Sequence, residues 1–82
     1  MMHAAKLERS ARLLRVYKLL CDGAEHSTRQ IGERARVCAV SSIMSELRAN
    51  GAGIDCRQAV RSSTGERFYL YRLVKPVPGA MS

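Results

Sequence analysis

The chain has 82 residues, a length that fits one domain and excludes two separate cores. Its hydrophobic content of 46% excludes wholesale disorder, and no run approaches the roughly 18 apolar residues that span a bilayer. Fourteen Lys and Arg residues against seven Asp and Glu residues give a net charge of +7, which favours nucleic acid as a partner, with a solubilising surface charge as the alternative.

Residues 1–9 are interpreted as an N-terminal extension without a signal peptide, because no long apolar run precedes a plausible cleavage site. The three cysteines, Cys21, Cys38 and Cys56, are widely spaced and form no Cys-x-x-Cys pair. A zinc site that joins them to His26 is an alternative, although the spacing is not that of a zinc motif. We expect reduced and buried cysteines in a cytoplasmic protein, and no cofactor.

The first predicted helix runs from Ser10 to Cys21. Its apolar residues recur with helical period and are Leu13, Val16, Tyr17, Leu20 and Cys21. Basic residues occupy the other side, at Arg12, Arg15 and Lys18. Ser10 is a suitable N-cap, and Gly23 can adopt the left-handed conformation that ends a helix.

A capping-box pattern opens the second predicted helix, over residues 28–35. Ser27 stands at the cap position and Gln30 follows three residues later, while Ile31 and Ala35 repeat at i, i+4 spacing. Gly32 inside this helix costs roughly 1 kcal/mol relative to alanine. We therefore expect another helix to approach closely at Gly32.

The third predicted helix begins at Val40 and stops at Gly51. Its apolar positions repeat at i, i+3, i+4 and i+7 and are Val40, Ile43, Met44 and Leu47. The opposite face carries small residues, namely Ser41, Ser42, Ser45 and Ala49. Because longer charged side chains normally cover an exposed helix, this face predicts a surface that a partner approaches closely.

The period changes to two after Gly53, which predicts a hairpin and then a disordered tail over residues 75–82. In the first strand the alternating, half-buried set is Ile54, Cys56, Gln58 and Val60. Residues 62–65 predict the turn, and residues 66–74 the second strand. In that strand we expect Tyr69, Tyr71 and Leu73 inward and Arg67 and Arg72 outward, with Phe68 and Leu70 as competing inward positions.

Three helices followed by a hairpin are the element order of a winged helix, and the chain resembles the winged helix-turn-helix family over residues 10–74. It is similar in particular to small members carried by bacteriophages and prophages. Residues 27–35 resemble the second helix of that family, and residues 40–51 resemble its recognition helix. The hairpin, with Arg61 and Arg67 near its tip, resembles the wing. The turn between the two helices, residues 36–39, lacks the glycine that is customary in the family.

The resemblance implies an α+β fold, with a three-helix helix-turn-helix core followed by a two-stranded β-hairpin wing, and double-stranded DNA as the partner. The recognition helix would enter the major groove, and the wing the minor groove. The residues that this places on DNA are Arg29, Arg34, Arg36, Ser41, Ser42, Ser45, Arg48, Arg61 and Arg67.

Structural roles for these residues stay open as alternatives. The serines are also typical of a solvated surface, and Arg48 is also placed to pair with Glu46 or Glu33. Gln30 favours its capping role over a DNA contact, and the two wing arginines would also protect an exposed hairpin from edge-to-edge pairing.

We expect a DNA-binding regulator of bacterial or prophage transcription, and no enzyme, because neither His3 nor His26 belongs to a catalytic constellation. The charge excess lies in residues 1–22 and 52–82, with +3 each, so DNA binding should be salt-sensitive. An accessory factor in recombination or replication and a protein-interaction module are the alternatives. No small-molecule substrate is evident, and a homodimer through Met1, Met2 and Leu7, or through Phe68 and Leu70, stays open.

Overall fold

The computed structural model describes residues 10–78, and the predicted extension over residues 1–9 and the end of the predicted tail lie outside that range. Within it the fold is α+β, with three helices and a three-stranded antiparallel sheet. In chain order the elements are α1 (Ala11–Leu20), β1 (His26–Ser27), α2 (Thr28–Ala35), α3 (Val40–Ala49), β2 (Gly53–Val60) and β3 (Arg67–Lys75). No helix in residues 10–78 is long and apolar enough to cross a bilayer.

The first two helices begin at the caps that the sequence predicts. The Ser10 hydroxyl accepts the N–H of Leu13 at 3.3 Å, which caps α1. In the capping box of α2, the Ser27 hydroxyl accepts the Gln30 N–H at 3.1 Å and the Gln30 side chain accepts the Ser27 N–H at 2.9 Å. Gly23, after α1, has the positive φ expected of a helix stop, 76°.

The turn between α2 and α3 contains an arginine in a conformation that favours glycine. Arg36 ends α2 with φ 57°, and its N–H donates to the Gly32 carbonyl. A Cβ at Gly32 would lie 3.2 Å from the Val37 carbonyl oxygen. The close neighbour of Gly32 is therefore the backbone of the turn, and the expectation that another helix approaches there is wrong.

A single apolar core joins the three helices to the base of the sheet. Apart from Cys21, which is exposed, the predicted stripes of all three helices are buried. The most completely buried side chains are Leu13, Val16, Leu20, Ile31, Ile43, Met44 and Leu47. Ile54 of β2 and Tyr71 of β3 close the core from the sheet side. Because this burial follows the i, i+3, i+4 spacing, it confirms the predicted helix faces.

The sheet has the order β1-β3-β2. The sequence predicts the hairpin of β2 and β3 but not the additional strand β1, which lies beside β3. His26 pairs with Tyr71 and Ser27 with Leu70. The expected two-stranded sheet is thus three-stranded in the described residues. A two-residue strand is too short to show any period, and it forms because β3 lies next to it in space.

Helices cover only the base of the hairpin. Along β2 only Ile54 is fully buried; Cys56 and Gln58 are exposed, and Val60 is 60% exposed. Tyr69 of β3 is 50% exposed, so its expected inward position is wrong. The alternation of side chains persists to the end of the strands, but none of residues 58–69, which we call the hairpin tip, is buried.

Two further expectations fail in the described residues. All three cysteines are free thiols on the surface, so the burial expected for Cys21, Cys38 and Cys56 is wrong. The predicted tail is ordered from residue 75 to residue 78, since Lys75 belongs to β3 and Val77 is buried. The Val77 N–H donates to the Tyr17 hydroxyl at 3.0 Å, a contact over 60 residues that no local pattern predicts.

Candidate nucleic-acid interface

The outward side of α3, which we call the α3 outer face, consists of small exposed residues. These are Ser41, Ser42, Ser45 and Ala49. The Ser45 hydroxyl donates to the Ser41 carbonyl oxygen at 3.2 Å, while the hydroxyls of Ser41 and Ser42 make no hydrogen bond within residues 10–78. No other part of the described chain covers this face. A partner can therefore approach the helix backbone more closely than long side chains would allow.

Arg48 contacts the sheet. Its Nη2 donates to the Ile54 carbonyl oxygen at 2.9 Å, and it pairs with neither Glu46 nor Glu33 among the described contacts. The bond ties the end of α3 to the start of β2. Arg48 thus helps to fix the orientation of α3 relative to the hairpin. Because Arg48 is exposed, its remaining N–H groups can still donate to a partner.

A groove of about 880 Å³ lies between the start of α2 and the first half of β3, and we call it the arginine groove. It brings together Arg29, Arg61 and Arg67 from two regions more than thirty residues apart. Its other lining residues are Ser27, Thr28, Gln30, Glu33, Glu66, Phe68, Tyr69 and Leu70. Three of the predicted DNA contacts therefore share one concave surface.

The three guanidinium groups of the arginine groove differ in their partners. Arg29 pairs with Glu33 at 3.1 Å, but the Arg29 side chain is 83% exposed, and such surface pairs contribute only about 0.2–1 kcal/mol. Arg61 lies over the Phe68 ring, 5.7 Å from its centroid. Arg67 makes no ion pair or hydrogen bond through its side chain in the described part of the chain. An anion in the groove would therefore meet three weakly engaged guanidinium groups, together with the carboxylates of Glu33 and Glu66.

Arg34 and Arg36 are exposed near the end of α2, outside the arginine groove. Arg34 acts on Asp22, whose pKa lies below its ordinary value of 3.8. The main cause is the N–H of Ala24, 2.8 Å from the carboxylate, followed by the His26 ring at 3.0 Å, and Arg34 contributes less. The groove thus contains three of the six arginines predicted to contact DNA. None of the residues of the α3 outer face lines it.

Two arginines on the hairpin are neutralised by carboxylates. Arg57 forms a two-pronged pair with Glu25, with 2.8 Å between Nη2 and Oε1, and this pair lowers the pKa of Glu25. Arg72 lies 3.8 Å from Asp55. The four residues and Cys56 line a cavity of about 340 Å³. The pair of Arg57 and Glu25 joins residues 32 positions apart, so no local sequence pattern predicts it.

Tyr69 lines the groove, although its alternation with Tyr71 predicts a position in the core. Tyr71 is buried, whereas Tyr69 is half exposed. Its position in the hairpin offers a signal in hindsight, since it lies four residues after the turn and opposite the polar Gln58.

The cysteines do not converge on a metal site. Within residues 10–78 no three His, Cys, Asp or Glu side chains are grouped so that they could hold a metal ion. The one histidine described, His26, is buried and bonded to both carboxylate oxygens of Asp22 at 3.1 and 3.0 Å. Its contacts join the end of α1 to β1.

Comparison with protein-family models, curated proteins and solved structures finds no match to this chain.

Proposed function

We propose that this chain is a winged helix-turn-helix protein that binds double-stranded DNA and regulates transcription in a bacterium or prophage. The observation that carries the proposal is the α3 outer face, a full helix side of exposed serine and alanine that the described chain leaves uncovered. An α-helix fits the major groove of B-DNA, which is about 12 Å wide. Small side chains allow its backbone to lie near the base edges.

The chemistry of this face favours binding to many sequences over strict selection. A serine hydroxyl both donates and accepts hydrogen bonds, so Ser41, Ser42 and Ser45 can meet several bases but discriminate weakly among them. Sequence preference would then come mainly from the shape and deformability of the DNA.

Affinity would come largely from charge. The chain carries +7, and Arg29, Arg61 and Arg67 offer guanidinium groups to phosphates from one groove. Arg34, Arg36 and Arg48 add exposed cations near the helix-turn-helix. Each phosphate neutralised steepens the slope of log K against log salt by about 0.9. The three exposed free thiols suit a reducing compartment, so we also propose a cytoplasmic location.

Fluorescence anisotropy with A·T-rich and mixed-sequence duplexes at two salt concentrations tests the proposal. Wild-type affinity should fall steeply with salt, and Ser42→Glu should lower it at least tenfold because the new carboxylate faces DNA. Ser42 lies in the first turn of α3, where an acidic side chain favours the helix, so the loss would not reflect unfolding. Ser42→Ala is the matched control and should bind like the wild type.

A flat salt response would refute duplex binding. If Ser42→Glu instead disrupts a dimer or a protein complex while wild-type DNA affinity is negligible, the chain is a protein-interaction module. Size-exclusion chromatography of the same two variants separates these outcomes.

A further inference from the structure

We infer that the arginine groove binds an unpaired stretch of DNA beside the duplex, with Tyr69 as the surface on which a base stacks. The inference rests on the proposed DNA binding and adds a substrate class, duplex DNA that carries a single-stranded extension. It starts from the position of Tyr69, a half-exposed aromatic ring in a groove that holds three arginines.

The register of the hairpin explains why this ring is accessible. Residues directly opposite in an antiparallel pair share a face, so Tyr69 lies on the same face as Gln58, and Arg67 on the same face as Val60. Farther along this face Tyr71 packs into the core. Tyr69 lines the groove beside α2 and stays 50% exposed.

The groove also has a backbone wall with free hydrogen-bonding groups. β1 ends at Ser27, which pairs with Leu70, so no described strand neighbours β3 from Arg67 to Tyr69 on the side of α2. Backbone N–H groups along an open strand edge can donate to phosphate or base oxygens. The exposed guanidinium of Arg67 lies in the same wall.

This combination fits an unpaired strand better than a duplex. Bases stacked inside a duplex do not offer a ring face, whereas an unpaired base does, and proteins that bind single strands combine a cationic groove with aromatic rings. The groove is open to solvent and has a volume of about 880 Å³. A base and its flanking phosphates fit that space.

The test compares three DNA probes in a binding titration at one salt concentration. They are a blunt duplex, the same duplex with a single-stranded thymine overhang, and the free oligothymidine. Stacking of one base is worth roughly 5- to 150-fold in affinity, so the overhang should tighten binding about tenfold over the blunt duplex. Tyr69→Leu should remove that gain, and Tyr69→Phe, the matched control, should keep it.

A spectroscopic signature distinguishes stacking from a loss of structure. A 2-aminopurine base in the overhang should be quenched by the wild type and by Tyr69→Phe, but not by Tyr69→Leu. Equal affinity of the wild type for blunt and extended duplexes would overturn the inference while leaving duplex binding intact. If the overhang and the free oligothymidine bind while the blunt duplex does not, the groove inference stands and the proposed duplex binding falls.

Discussion

The helical base of the molecule and the hairpin tip use their side chains in opposite ways. The base buries each large apolar residue of its helix stripes, with Leu13, Leu20 and Leu47 fully enclosed. The tip exposes Val60 and Tyr69. Since burial of apolar surface supplies most of the folding free energy, stability resides in the base. The tip is held by the pairing of β2 with β3, and its exposed side chains can contact a partner.

Charged residues show the same contrast. In the base, Arg15 donates to the Ala35 carbonyl oxygen at 2.7 Å and Arg48 to that of Ile54, so both tie elements together. In the tip, Arg67 has no such contact among the described residues. These two arginines of the base therefore support structure, whereas Arg67 in the tip remains available to an anion.

The largest contrast should come from apolar truncation. Leu47→Ala removes a fully buried side chain and should cost about 2–5 kcal/mol, most of the stability of a domain this small. Val60→Ala in the tip should change the free energy of unfolding by no more than about 0.5 kcal/mol. Urea denaturation measures both. Similar losses in the two variants would contradict the division between base and tip.

Removal of one hydroxyl should produce the next effect. Tyr17→Phe leaves the buried Val77 N–H without an acceptor, which should cost about 1–3 kcal/mol of unfolding free energy. Tyr69→Phe, the same change in the tip, should be neutral because that ring is half exposed. Thermal denaturation of the pair checks this, and an unaltered Tm for Tyr17→Phe would show that residues 76–78 do not hold the base together.

Arg36 offers a sharper test of the turn. Because a left-handed L-residue is strained by roughly 1–2 kcal/mol, Arg36→Gly should raise stability by up to about 1 kcal/mol, after the entropy that glycine loses. Arg34→Gly, within α2, should lower it by about 1 kcal/mol. Opposite signs in urea denaturation are expected, and loss of stability in both variants would mean that Arg36 is not strained.

The smallest effect concerns pH. The pKa of Asp22 is lowered in the folded chain, chiefly by the Ala24 N–H, so its ionised form stabilises the fold above the unfolded value of 3.8. This contribution is lost as the pH falls through the lower, folded-state pKa. The stability difference between wild type and Asp22→Asn should therefore shrink below pH 3.8. Glu66→Gln in the tip is the control, and a difference independent of pH would contradict the assignment.

Local interactions made much of the base predictable. The capping box of Ser27 and Gln30, the stop at Gly23 and the apolar stripes each depend on residues within about one or two turns, so their spacing in the sequence is also their spacing in space. The hairpin and its turn followed from alternation and from the Ser-Ser-Thr-Gly run in the same way.

The candidate site was predictable in composition but not in arrangement. The sequence indicates its nine residues, yet nothing local indicates that Arg29 meets Arg61 and Arg67 in one groove or that Arg48 bonds to Ile54. Tyr69 was missed because alternation tells which face a residue occupies and does not tell how far along that face the helices extend.

The sequence by itself determined the helices, the hairpin and the excess of positive charge, since caps, periods and net charge are properties of neighbouring residues or of composition. Only the tertiary structure decided the pairing of β1 with β3, the hydrogen bond of Val77 to Tyr17 and the groove between α2 and the hairpin. Each of these joins residues far apart in the chain, and their proximity results from the packing of the whole core.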